Sequence, residues 1–113
     1  MTDDHAHVSL DAAEAWSGAR ALSAAGQDLG AGRANAGAAL AAASATMPWG
    51  RDDGGQAFES RYRSVETQVL AAWEQLAGYV ESLGDAAARS VTDNLDTDQA
   101  AARRIEAARR ERP

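Results

Sequence analysis

The side chains able to do chemistry in this chain are few and poorly spaced for it. His5 and His7 flank Ala6, so two imidazoles could share a metal ion. No third ligand lies near them in the chain, and structural zinc sites take four; the pair reads as part of a polar terminus. Asp52-Asp53, and separately Asp93, Asp96 and Asp98, suggest calcium. The second group lacks the central Gly and bidentate Glu of a calcium loop, and helix capping with a solvated face accounts for both. No Ser, His and Asp spacing resembles a nucleophile elbow. No Gly-Lys-Ser/Thr follows the glycines as a phosphate loop requires. The residues give no catalytic constellation, no metal set and no cofactor site, and an enzyme is not expected.

Composition narrows the partners. A net charge of −6 and a pI near 4.7 argue against nucleic acid, whose phosphates need a positive field. Without Cys there are no disulfides or zinc–thiolate sites. The Ala-rich runs are broken by Gly, Arg, Ser and Asn before 18 apolar residues accumulate, so no membrane insertion is expected. The start, Met1-Thr2-Asp3-Asp4-His5, lacks the basic residues and apolar core of a Sec signal peptide. Leu, Ile, Val and Phe together number 15 of 113 residues while Ala alone numbers 29. That share of large aliphatic residues is below the roughly 20 % of self-sufficient cores. Ala favours helix strongly but buries little surface. Such a chain is helical yet short of a core, and association with another polypeptide is expected.

The elements follow from periodicity and punctuation. Residues 1–8 read as a flexible polar tail. A first helix begins near Ser9 to Asp11, with Asp11 and Glu14 at capping-box spacing, and runs to about Ser44. Ala15, Leu22, Leu29, Ala36 and Ala43 stand seven apart along it, beside a line of Ala12, Ala19, Gly26 and Leu40. Small residues on that face let another helix come close. Pro48 ends the helix by disfavouring α geometry at Met47; Gly50, Gly54 and Gly55 supply a turn near 46–54. Asp53 with Gln56 marks a second start.

In the second segment Phe58, Tyr62, Val65, Val69, Ala72, Leu76, Tyr79, Leu83 and Ala86 alternate spacings of four and three, a heptad seam over four heptads. Gly84-Asp85 offers a kink, and the polar stretch Thr92 to Asp98 interrupts the pattern. Residues 99–113 form an Arg-rich C-terminal helical extension or tail carrying +3, with Glu106 spaced to pair with Arg109 or Arg110. Its one large apolar residue, Ile105, is too little for membrane binding. The fold class is all-α: a helix–turn–helix hairpin over 9–98, expected to assemble as a four-helix bundle dimer. Trp16 and Trp73 are expected to pack against a neighbouring helix. Trp49-Gly50 falls in the turn, where an indole has little core to enter. It folds over the hairpin end near Phe58, meets a partner, or does both.

The stretch Pro48-Trp49-Gly50-Arg51-Asp52-Asp53-Gly54-Gly55-Gln56-Ala57-Phe58-Glu59-Ser60-Arg61-Tyr62, set between two Ala-rich helices in a chain near 100 residues, resembles the WXG family of actinobacterial type VII secretion. The resemblance spans about residues 8–100. In that family's name motif one residue separates Trp from Gly, whereas here they adjoin. Its export signal is Tyr followed four residues later by an acid, beyond the second helix. Asn94 and Asp98 keep that spacing with Asn in place of Tyr, a degenerate signal. Tyr62 and Glu66 match the spacing but stand at the start of the second helix. The resemblance implies a non-enzymatic secretion substrate, partner or adaptor. It also implies a chain secreted by a signal-peptide-independent route, or cytoplasmic before export. Its partners are a second copy, a similar hairpin or a toxin's N-terminal helical domain, together with the secretion machinery. The residues expected to bind are Trp49, Gly50, Phe58, Tyr62, Val65, Val69, Leu76, Leu83, Leu22, Leu29 and Leu40. The alternative is a cytoplasmic coiled-coil scaffold with no secretion role, for which a Trp in the turn has no purpose.

Overall fold

In a computed structural model the chain is an antiparallel pair of helices, α1 (Thr2–Ala45) and α2 (Asp53–Arg110). The structure describes the backbone of residues 2–111 and the side chains of residues 11–111. The hairpin is a thin rod, with principal extents of 94 × 20 × 14 Å.

Three sequence expectations need correction. Asp11 is inside α1, which runs back to Thr2 instead of starting at Ser9 to Asp11. The second N-cap is Asp52, one residue earlier than Asp53: its carboxylate accepts from the Gly55 N–H at 2.7 Å, satisfying an orphan donor of the first turn. α2 is continuous through both Gly84-Asp85 and Thr92–Asp98. The Thr92 and Thr97 hydroxyls donate to the carbonyls of Ala88 and Asp93, so these residues bond along the helix rather than breaking it. At the other end of α1, Met47 does leave the α region, but for left-handed geometry (φ 52) rather than extended. Its N–H donates to the Ser44 carbonyl at 3.1 Å.

The two helices meet along small residues. Among the described residues the buried apolar side chains are Ala19, Ala77 and Ala88, joined by buried Ser23 and Ser44. Contact is closest at two reciprocal points. A Cβ on Gly26 would fall 2.8 Å from the Ala77 carbonyl oxygen and against the Glu81 backbone. A Cβ on Gly84 would fall 2.8 Å from the Ala19 carbonyl oxygen and against the Ser23 backbone. Each helix therefore presents a glycine where the other presents main chain. The line facing α2 is thus Ala19 and Gly26, not the Leu22–Leu29 line beside it.

Polar contacts close one edge of this interface. Arg20 pairs with Asp85 at 3.6 Å, Gln27 donates to Glu81 at 3.4 Å, and Arg33 reaches Glu74 at 3.7 Å and the Leu70 carbonyl at 3.3 Å. Ser23 donates to Asp85 at 2.8 Å. The ion pairs are solvated and contribute little to stability; they do fix which edge of the hairpin is polar.

Candidate partner-binding surface

The tip is built by the turn itself. The Gly50 N–H donates to the Met47 carbonyl at 3.0 Å, closing a turn with Pro48 and Trp49 at its centre. Gly50 sits at φ 85, a region that L side chains rarely adopt. The turn carries Trp49 back over the start of α2. Its ring lies 5.4 Å from Phe58 and 5.2 Å from Tyr62, centroid to centroid, and the Phe58 and Tyr62 rings stack at 6.3 Å. These spacings are those of attractive aromatic pairs. Trp49, Phe58 and Tyr62 line a groove of about 260 Å³ with Ala43, Ser44 and Pro48. Phe58 remains 54 % exposed, so the cluster faces outward.

Arg63 ties the tip to both helices, and sequence reasoning missed it. Its guanidinium lies 5.9 Å from the ring centroids of both Trp49 and Tyr62, within cation–π range. It donates to Ser44 Oγ at 3.0 Å and pairs with Glu59 at 3.6 Å and Glu66 at 3.8 Å. The Trp49 N–H is covered and has no acceptor among the described residues; ring packing and Arg63 hold the indole. The neighbouring Glu66 carboxylate, as an acceptor for the Tyr62 hydroxyl, favours the neutral phenol. With burial and the repulsion of Glu66 adding to it, this raises the Tyr62 pKa above its ordinary 10.0, while Arg63 pulls the other way.

From the tip an apolar strip runs down the hairpin. Val65, Val69, Leu76, Tyr79 and Leu83 are all exposed. The heptad seam does not enter the contact between α1 and α2; it stands beside it. Helical geometry explains why. Leu76 is two residues from Glu74, and Leu83 is two residues from both Glu81 and Asp85. Two residues turn a helix by about 200°. The seam therefore leaves α2 on the side away from the polar edge. On α1, Leu22 stands two residues from Arg20 and Leu29 two from Gln27, so both face the same way as the seam. Trp73 bridges the two rows, its ring edge 3.4 Å from where a Gly32 Cβ would lie. Leu40 is exposed nearer the tip. The apolar face is chiefly that of α2, to which α1 adds Leu22, Leu29 and Leu40.

The remaining candidates lie elsewhere. Asn94 and Asp98 are exposed within α2, far from the turn. Trp16 is 44 % exposed and borders a groove with Ala12, Ala13, Ser17, Val91 and Leu95 near the open end. His5 and His7 lie outside the described side chains. Among the described residues no group of three or more His, Asp or Glu is placed to hold a metal ion, and no helix is long and apolar enough to cross a membrane. Compared with protein-family models, curated proteins and solved structures, the chain has no match.

Proposed function

We propose that this chain is a non-enzymatic partner, substrate or adaptor of a type VII secretion system, acting by helical-bundle association as the WXG family does. One observation carries the reading. The heptad seam, with Leu76 54 % and Leu83 47 % exposed, is a continuous apolar strip that α1 leaves uncovered. Exposed apolar faces of this extent mark interaction sites. A second pair of helices laid on the seam and the Leu22–Leu29 row makes a four-helix bundle. Trp49, Phe58 and Tyr62 then stand at one end of the rod as an aromatic handle, the kind of anchor that contributes 2 kcal/mol or more in an interface.

The test is made in the native host. Wild-type chain is expected to co-purify with another helical protein or copy and with secretion components, and to be found in culture supernatant. Trp49→Ala is expected to keep its helicity and bundle partner while losing capture by the secretion machinery. If wild-type and Trp49→Ala chains are captured and exported equally, the handle is wrong. If neither ever leaves the cell or meets a secretion component, so is the reading as a whole.

A further inference from the structure

The main chain of the turn and the Trp49 indole are held by different contacts. The main chain passes over buried Gly55, where a Cβ would fall 2.7 Å from the Trp49 carbonyl oxygen. That contact fixes where the turn runs. It leaves the indole free to rotate about its own side-chain bonds. The main-chain N–H groups of Met47 and Gly50 bond to Ser44 and Met47, not to α2. The Trp49 N–H is covered and has no acceptor among the described residues. The orientation of the indole is left to ring packing on Phe58 and Tyr62 and to the Arg63 guanidinium, 5.9 Å from its centroid.

Arg63 has an attachment that the two rings lack. It donates to Ser44 Oγ at 3.0 Å. Ser44 stands in the last turn of α1, 3 % exposed, where that helix lies against α2. Its hydroxyl donates to the Ala41 carbonyl at 3.3 Å, so its own helix orients it. One guanidinium thus joins the docked end of α1, the turn and the start of α2. Its ion pairs with Glu59 and Glu66 are ordinary i, i+4 and i, i+3 contacts, which a Lys would also make. Reaching Ser44 and both carboxylates while lying beside two rings takes a planar fork of donors, and an ammonium has none.

We infer that Arg63 is a positioning residue for the tip: through Ser44 it makes the orientation of Trp49 depend on α1 lying against α2. When the last turn of α1 lifts, Ser44 withdraws its hydroxyl. The guanidinium then loses its place beside the indole, and the aromatic cluster opens. The tip is complete on a closed hairpin and loose on an open one. The consequence for capture by a partner rests on the proposed function, whereas the placing of the indole does not.

The experiment measures hydrogen exchange of the indole N–H groups in the purified full chain by NMR, the signals being assigned with Trp16→Phe, Trp49→Phe and Trp73→Phe. The Trp49 and Trp73 N–H groups are both covered, so each exchanges through an opening. Trp73 lies beside Gly32, about three turns of α2 from Tyr62, and reports general loosening of the hairpin. Loss of one hydrogen bond shifts an opening equilibrium about fivefold. Arg63→Gln and Ser44→Ala are each expected to speed Trp49 exchange by about that factor, with helicity kept and Trp73 changed by less than about twofold. Arg63→Lys keeps the ion pairs and is expected to resemble Arg63→Gln. Equal acceleration of both indoles would reduce Arg63 to a general support, and an unchanged Trp49 rate in Ser44→Ala would sever the link to α1; either overturns the inference. In the native host, Arg63→Gln should be captured by secretion components about fivefold less than wild type. Equal capture of the two would overturn the positioning role and leave the handle standing. Failure of the wild-type chain itself to be captured would strike the proposed function, and the exchange rates would still decide what Arg63 does.

Discussion

Adding one methyl group at Gly26 should do the opposite of what it does at Gly78. In a helix interior, Gly→Ala is favourable by about 1 kcal/mol from backbone conformational freedom alone. At Gly78 nothing lies within 4 Å of the new Cβ, so the variant should gain that amount. At Gly26 the Cβ would sit 2.7 Å from Glu81 Cα and 2.8 Å from the Ala77 carbonyl oxygen. Ordinary contact begins near 3.4 Å, so the helices must separate locally by about 0.7 Å to clear Glu81 Cα and by more to clear the Glu81 amide nitrogen. Overpacking of this kind costs about 1–3 kcal/mol. The upper end applies, because the obstacles are main chain and cannot rotate away. The net expectation is a loss of about 2 kcal/mol for Gly26→Ala and the same for Gly84→Ala. Against Gly78→Ala the contrast is about 3 kcal/mol. At about 4 °C per kcal/mol for a chain of this size, Gly26→Ala melts about 8 °C below wild type and Gly78→Ala about 4 °C above it. The two tight points share one interface, so opening it for one methyl eases the other, and the double variant should lose less than the sum. Thermal unfolding by circular dichroism at matched concentrations reads the four variants against wild type. Should Gly26→Ala prove as stable as Gly78→Ala, the helices do not meet along this line and the seam's exposure loses its explanation.

Leu76 and Leu83 each keep about half their surface, so completing their burial contributes about 1 kcal/mol apiece. Changing both to Asp removes both contributions from this chain's side, and association should weaken at least about thirtyfold; a mass unchanged in light scattering would refute the seam. Asp52→Ala should lower stability by about 1 kcal/mol through loss of the cap on Gly55, with Asp52→Asn close to wild type, as denaturant unfolding can measure. In Tyr79→Phe, which leaves Tyr62 as the lone tyrosine, the midpoint of phenolate absorbance should lie above pH 10, and adding Glu66→Gln should lower it. Because the folded-state pKa is raised, this bond's contribution is whole below the unfolded pKa near 10 and is lost as pH climbs through the folded one. A midpoint at or below pH 10 would contradict the effect of Glu66 on Tyr62.

Much of the architecture was legible because it rests on local rules. Pro48 and the surrounding glycines place the turn, and the four-three spacing from Phe58 to Ala86 marks one continuous helix face. The place of Trp49 against Phe58 follows from an indole at a hairpin end. Which line of each helix faces the other was not legible. Hydrophobic periodicity points to the largest side chains, whereas these helices approach along the smallest. The signal was present in Gly26, seven residues after Ala19, and in Gly84, seven after Ala77. It reads as weakness in a lone helix and as an advantage only when two main chains meet. Arg63 was missed for a related reason: its partners Ser44 and Trp49 are brought to it by the turn, and no spacing within α2 announces them. The cap moved from Asp53 to Asp52 because adjacent aspartates both satisfy the sequence rule and only backbone geometry chooses.

Among the described residues three alanines are the buried apolar core, and under the proposed association the hairpin depends on cover over its apolar face. The most direct measurement is tryptophan-fluorescence melting of the purified chain across dilution from about 50 μM to 10 nM. Association stabilises by mass action, so the transition should move steadily to lower temperature and lose its sharpness as the bundle comes apart. A sharp transition at one unchanging temperature across that whole range would mean that a lone hairpin stands by itself, and would contradict the account.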